Sequence, residues 1–167
     1  MMSSARHRVG QFWRHASAKV SPFEAADAEQ ILGPDLAALF FHLPVHDQRH
    51  GLDVLATVNQ LNAEPSRLLK QAALLHDLGK SGADFSVIDR SLAVLLAAVS
   101  PLLLNAVLRA RPGFARRHVI YADHARIGAA RLHAVGATEL AGIVAEHHAA
   151  HPVSEVTRRL QRADRRN

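Results

Sequence analysis

Residues 65–80 read PSRLLKQAALLHDLGK, and the spacing of their apolar side chains decides the fold class. Leu68, Leu69, Ala72, Leu75 and Leu78 recur with a period near 3.6, which predicts a helix opened by Pro65, stopped by Gly79 and buried along one stripe. His76 and Asp77 fall in its expected last turn. An ionised carboxylate in that apolar company is unfavourable by several kcal/mol unless an opposite charge pairs with it. The stretch thus predicts a helix and, at its end, a cationic partner still to be found.

The same period runs through the rest of the chain. Leu52, Leu55, Val58 and Leu61 mark one buried stripe between about residues 45 and 62, and Ser21-Pro22-Phe23-Glu24 is a helix start with a capping box that Gly33 ends. Further helices are expected at about 34–43, 87–99, 101–110, 115–135, 138–149 and 154–165, with Gly136 as a stop and Ser154 as an N-cap. Strand signals are weak throughout, since no period-two run is bounded by a hairpin turn. The reading is one all-α domain over residues 1–167, a helical bundle with an N-terminal helical extension (1–44) and an apolar helical insertion (about 81–117).

Composition narrows the chemistry. The chain has no cysteine, which excludes disulfides, thiolate zinc sites and cysteine nucleophiles, so any metal must be held by His, Asp or Glu. It has 12 histidines, about three times what average composition would supply. The net charge of +5 comes from arginines gathered near both ends, in RHRVGQFWRH and RRLQRADRR. No aromatic residue interleaves with the C-terminal arginines, so there is no firm nucleic-acid signal. The first apolar stretch is short and broken by arginines, which gives no signal peptide and a cytoplasmic expectation. Residues 91–108, SLAVLLAAVSPLLLNAVL, carry no charge and reach the lower limit of a membrane span. Pro101 interrupts them, and a buried hairpin acting as a lid, a dimer contact or a membrane-surface patch is expected instead.

A His-Asp pair alone reads as a helix cap. Here it is accompanied by His50 in QRHGLDVL, His124 in YADHARIG, the pair His147-His148 in AEHHAAH and Asp164 in LQRADR, each on a different expected helix. Imidazole and carboxylate donors suit divalent Mn, Fe, Co, Ni, Zn or Mg.

In this order and spacing the motifs resemble the HD-domain metal-dependent phosphohydrolases, over roughly residues 45–165. LLHDLGK matches their His-Asp doublet with its glycine and lysine, QRHGLDVL their first histidine, and LQRADR their final aspartate. The resemblance implies a dinuclear centre: His50, His76 and Asp164 hold the first metal, His124, His147 and His148 the second, and Asp77 bridges them. It implies Lys80 on a phosphate oxygen and hydrolysis of a phosphoester of a nucleotide or a related small phosphorylated molecule. The cyclic-dinucleotide phosphodiesterases of the HD-GYP branch share the arrangement, but AAHPVSEV stands where their signature would follow. Two other expectations compete: an inactive HD module that binds a nucleotide or a protein, and a di-iron HD-type oxygenase with a similar ligand set. Arg49 is a weaker candidate for a phosphate contact.

Overall fold

The computed structural model describes residues 18–81 and 87–167. The N-terminal arginine-rich run, the start of the expected extension and residues 82–86 of the expected insertion lie outside the described residues. The chain is all-α: ten α-helices and one 3-10 turn, with no strand among the described residues.

Ser21 caps α1 (Pro22–Leu32) through the expected capping box: its side chain accepts from the Glu24 amide while Glu24 Oε2 accepts from the Ser21 amide at 2.9 Å. Gly33, at φ 75°, turns the chain into α2 (Pro34–Phe41). The long α3 (Val45–Leu61) buries Leu52, Leu55 and Val58, the stripe read from the sequence.

The decisive stretch forms α4 (Arg67–Leu75), capped by Ser66, whose hydroxyl accepts from the Leu69 amide at 3.2 Å. This helix is the centre of the bundle. Leu69, Ala72, Ala73, Leu74 and Leu75 are all buried, each leucine contributing about 2 kcal/mol relative to exposure. It packs against α1, α3, α9 (Thr138–Glu146) and α10 (Glu155–Asp164). Gly51 lets α3 approach it, because a Cβ at that position would lie 2.8 Å from the Leu74 carbonyl oxygen.

Several helix boundaries differ from the sequence expectation, and the first is the start of α4: Ser66 caps it, so it begins at Arg67 and Pro65 lies outside it. The helix α4 ends at Leu75 rather than at Gly79, and a 3-10 turn over Leu78–Lys80 follows. Gly79 is no left-handed stop: positive φ occurs only at Gly33 and Gly136 among the described glycines. Its role is close approach, since a Cβ there would collide with the carbonyl oxygen of His124 and lie 2.7 Å from the Gly128 amide nitrogen. The expected helix 115–135 is two helices, α7 (Pro112–Ala122) and α8 (His124–Ala134), broken at Asp123, with φ −96° and ψ 8°. The break turns α8 across the 3-10 turn, where Gly79 and Gly128 meet. The helix expected over 138–149 stops at Glu146, and beyond it Gln161 of α10 donates to the carbonyls of His147 (3.1 Å) and Ala149 (2.8 Å).

The apolar run 91–108 is split at Ser100 and Pro101 into α5 (Val87–Val99) and α6 (Pro101–Ala110). No helix among the described residues is long and apolar enough to cross a membrane. With α7 these helices enclose a separate small core of Ala93 and Phe114 supported by Leu104, Val107, Leu108 and Ile120.

Candidate metal centre

The bundle brings His50, His76, Asp77, His124, His147, His148 and Asp164 together from five helices and their ends. His50 comes from α3 and Asp164 from the end of α10. His76 and Asp77 follow α4, His124 opens α8, and His147 and His148 follow α9. His76, Asp77, His124 and His147 are buried, whereas the side chains of His50 (28% exposed) and Asp164 (29%) open to solvent together with His148.

Three of the imidazoles are oriented by one device. His76 Nδ1 donates to the Ala73 carbonyl (3.0 Å), His124 Nδ1 to that of Tyr121 (2.6 Å) and His147 Nδ1 to that of Val144 (2.6 Å). Each acceptor belongs to the last turn of a helix, α4, α7 or α9, where carbonyls lack intrahelical partners. With the proton on Nδ1, each Nε2 is a bare lone pair, and all three aim at the cluster.

The donors divide into two trios, His50–His76–Asp164 and His124–His147–His148, each with donor atoms within 4.8 Å of one another. Asp77 stands between them. Its Oδ2 lies 3.6 Å from both His50 Nε2 and His76 Nε2, and its Oδ1 lies 3.3 Å from His124 Nε2 and 3.9 Å from His147 Nε2. In the first trio, Asp164 Oδ1 is 3.2 Å from His50 Nε2 and 3.5 Å from His76 Nε2. In the second, His124 Nε2 is 3.2 Å from His147 Nε2 and 2.9 Å from His148 Nε2.

The donor set fits divalent cations on two counts. Nε2 of His124 and of His147 face each other as acceptors, an arrangement that repels unless a cation lies between the lone pairs. His76 Nε2 and Asp77 Oδ1 are buried without a hydrogen bond, which is unfavourable by about 1–3 kcal/mol per atom unless something coordinates them. These groups of His and Asp side chains are able to hold a metal ion.

At Asp77, Asp164, His147 and His148 electrostatics favours the deprotonated donors that metals require. Burial opposes ionisation of Asp77, but the His76 imidazole and the Lys80 ammonium outweigh it and hold the carboxyl well below its usual range. Burial likewise opposes ionisation of Asp164, and the His50 and His76 imidazoles beside it outweigh that, so its pKa too is lowered. Burial drives His147 down to about 3 and, with His124 alongside, lowers His148. His76 is raised: burial works against its charged form, and Asp77 and Asp164 more than offset that.

Lys80 was expected to meet a phosphate oxygen. Its Nζ instead donates to Asp77 Oδ2 at 2.5 Å and lies 5.6 Å from the centroid of the Tyr121 ring. Arg49 faces away from the cluster and ties α1 to α3, through Glu24 (2.5 Å) and Asp53 (3.0 Å). His46 lies 3.4 Å from Asp47 and belongs to neither trio. Sequence reasoning missed Gln161, which fixes the segment carrying His147 and His148, and Arg131, which donates to Leu78 O (3.1 Å) and to Ser81 and so braces the 3-10 turn. Neither belongs to a motif. A cavity of about 410 Å³ between α5, α6 and α7, lined by Leu92, Leu96, Val107 and Phe114, shares no residue with the cluster.

No protein-family model, curated protein or solved structure matches this chain.

Proposed function

We propose that this chain is a metal-dependent phosphohydrolase of the HD type, with two divalent ions held on either side of Asp77. The observation that carries the reading is the division of one buried carboxylate between two donor trios, Oδ2 toward His50 and His76 and Oδ1 toward His124 and His147. His50, His76 and Asp164 would hold one ion and His124, His147 and His148 the other. Such a pair, when bound, lowers the pKa of water and neutralises charge on the attacking and leaving oxygens of an in-line displacement at phosphorus.

The chain's own residues supply position and charge. The Nδ1 bonds to helix-end carbonyls fix each imidazole before anything binds, so little ordering is left to be done at the moment of reaction. The half-open side formed by His50, Asp164 and His148 is where a phosphoryl group has access, and the leucines of α4 close the opposite side to water. Lys80 donates to Asp77 Oδ2, the atom a cation would claim. Released from it, the ammonium is within a side chain's reach of a phosphate oxygen and stabilises charge developing there. The substrate class is a small phosphoester, in particular a nucleotide.

The test is metal analysis of the isolated protein followed by turnover of a phosphodiester, a phosphomonoester and a nucleotide panel with Mn, Co, Ni or Zn. Two equivalents of metal and hydrolysis of one class are expected, and Asp77→Ala abolishes both. Full activity in Asp77→Ala refutes the mechanism. Bound metal without turnover on any substrate moves the reading to a binding module or to oxygen chemistry on the same ligands.

A further inference from the structure

Helix α6 is apolar along Pro101–Ala110, yet none of its residues is fully buried. Leu102 is 80% and Leu103 46% exposed. On α5 the exposed residues Leu92, Leu95 and Val99 are spaced i, i+3 and i+7, so they line one stripe, and beyond the extended Ser100 the first turn of α6 exposes Leu102 and Leu103. The opposite face of the hairpin already has its own core, in Ala93, Phe114, Leu104, Val107 and Leu108. The outer stripe is therefore surplus to folding, and water is a poor neighbour for it.

Charge selects the occupant. Asp89 is the sole acidic residue in the sequence from 87 to 122, and it is paired with Arg117 at 3.4 Å. Arg109, Arg111 and Arg116 are exposed around the hairpin. Arg109 lies seven residues after Leu102, on the same stripe two turns along, where its long stem lies over apolar surface while its guanidinium reaches a polar boundary. A second copy packed on the same patch would set these arginines against each other with no carboxylate to answer them. The patch also lacks the Tyr and Trp anchors that concentrate binding energy between proteins. An anionic bilayer satisfies both the aliphatic stripe and the arginine rim.

We propose that the α5–α6 hairpin is a membrane-surface dock that lies in the interface of an anionic bilayer, the Leu95–Val99–Leu102 stripe in the acyl boundary and Arg109 and Arg111 at the phosphates. Docking is independent of the metal centre.

The test is co-sedimentation of the full chain with vesicles of phosphatidylcholine alone and of phosphatidylcholine with about one-third phosphatidylglycerol. The anionic vesicles are expected to bind at least tenfold more protein, with binding falling as salt rises. Leu95→Ser/Leu102→Ser, at sites too exposed to disturb the core, is expected to lower partition at least tenfold with unchanged circular dichroism. Arg109→Gln and Arg111→Gln are each expected to lower it about fivefold. A photo-crosslinking residue at position 102 reads the occupant directly. Capture of lipid supports the dock. Capture of a second chain, or of residues 1–17 of the same chain, overturns it, as does equal binding to neutral and anionic vesicles or none to either.

Discussion

Gly79→Ala tests how the fold delivers His124 to Asp77. A Cβ at residue 79 would run into the His124 carbonyl oxygen and stand 2.7 Å from the Gly128 amide nitrogen, whereas ordinary contact begins at 3.4 Å. Both obstacles are backbone, so no side-chain rotation relieves them, and α8 has to retreat by roughly 1 Å. Overpacking of this kind destabilises by about 1–3 kcal/mol. Restricting the unfolded chain by removing a glycine returns about 0.4–1 kcal/mol, which leaves a net loss of about 1 kcal/mol. For a chain of this length that is about 2–4 °C in Tm. Gly142→Ala is the control: it lies within α9 with nothing within 4 Å of its Cβ, and the better helix former is expected to stabilise by about 0.5–1 kcal/mol. Urea and thermal unfolding of the two variants read both numbers, and metal titration reads the displacement of His124 as weaker binding at its trio. A Gly79→Ala protein that melts within about 1 °C of the wild type, while Gly142→Ala rises, would refute the close-contact account.

Saturating Mn, Co or Zn is expected to raise Tm, since a ligand at 100 times its Kd adds about 2.7 kcal/mol, or about 5–11 °C here; a chelator should reverse the rise, and a Tm indifferent to every metal counts against the donor trios. His124→Ala and His50→Ala remove one donor from separate trios, so each is expected to leave about one equivalent of metal by elemental analysis, and simultaneous loss of both ions in either variant would mean a single coupled site. Two hydrogen bonds from Ser21 and the Arg49 contact bring Glu24 from 4.5 to about 2. A depressed carboxyl stabilises above its unfolded pKa and loses that stability as pH falls through the folded one, so the link between α1 and α3 should weaken from about pH 4.5 down to about 2. The side chain is 37% exposed, which screens the contribution to about 1 kcal/mol; Glu24→Gln should flatten this part of the stability profile in acid denaturation, and an unchanged profile would contradict the assignment.

The fold class was legible because burial and period coincide: of the residues the stripes named, Leu52, Leu55, Val58, Leu69, Ala72, Leu75 and Leu78 are buried, while Leu61 and Leu68, at the stripe edges, are partly buried. The capping box at Ser21 and the hairpin break at Pro101 were legible for the same reason, that the signal is local and involves only neighbours in sequence. The candidate donors were legible as residue types in an order, and the fold brings them together. What the sequence did not disclose is which oxygen of Asp77 faces which trio, or that Lys80 folds back onto the carboxylate. Those depend on where helices remote in sequence come to lie.

The misplaced helix ends share one cause. Periodicity carried α4 to Gly79, ran α7 and α8 together and carried α9 to Ala149, but the helices stop at Leu75, Ala122 and Glu146, one or two residues before a candidate metal ligand in each case. Ending a helix leaves carbonyls without donors, and here an imidazole Nδ1–H supplies one at each end: His76 to Ala73, His124 to Tyr121 and His147 to Val144. The bond that terminates the helix is also the bond that fixes the tautomer and turns Nε2 toward Asp77. Apolar spacing cannot register such a stop, because the residues beyond it continue the stripe: Leu78 is as deeply buried in the 3-10 turn as its helical neighbours. What the three ends share is a histidine three residues beyond the carbonyl it caps, His76 after Ala73, His124 after Tyr121 and His147 after Val144, a spacing that apolar periodicity does not weigh.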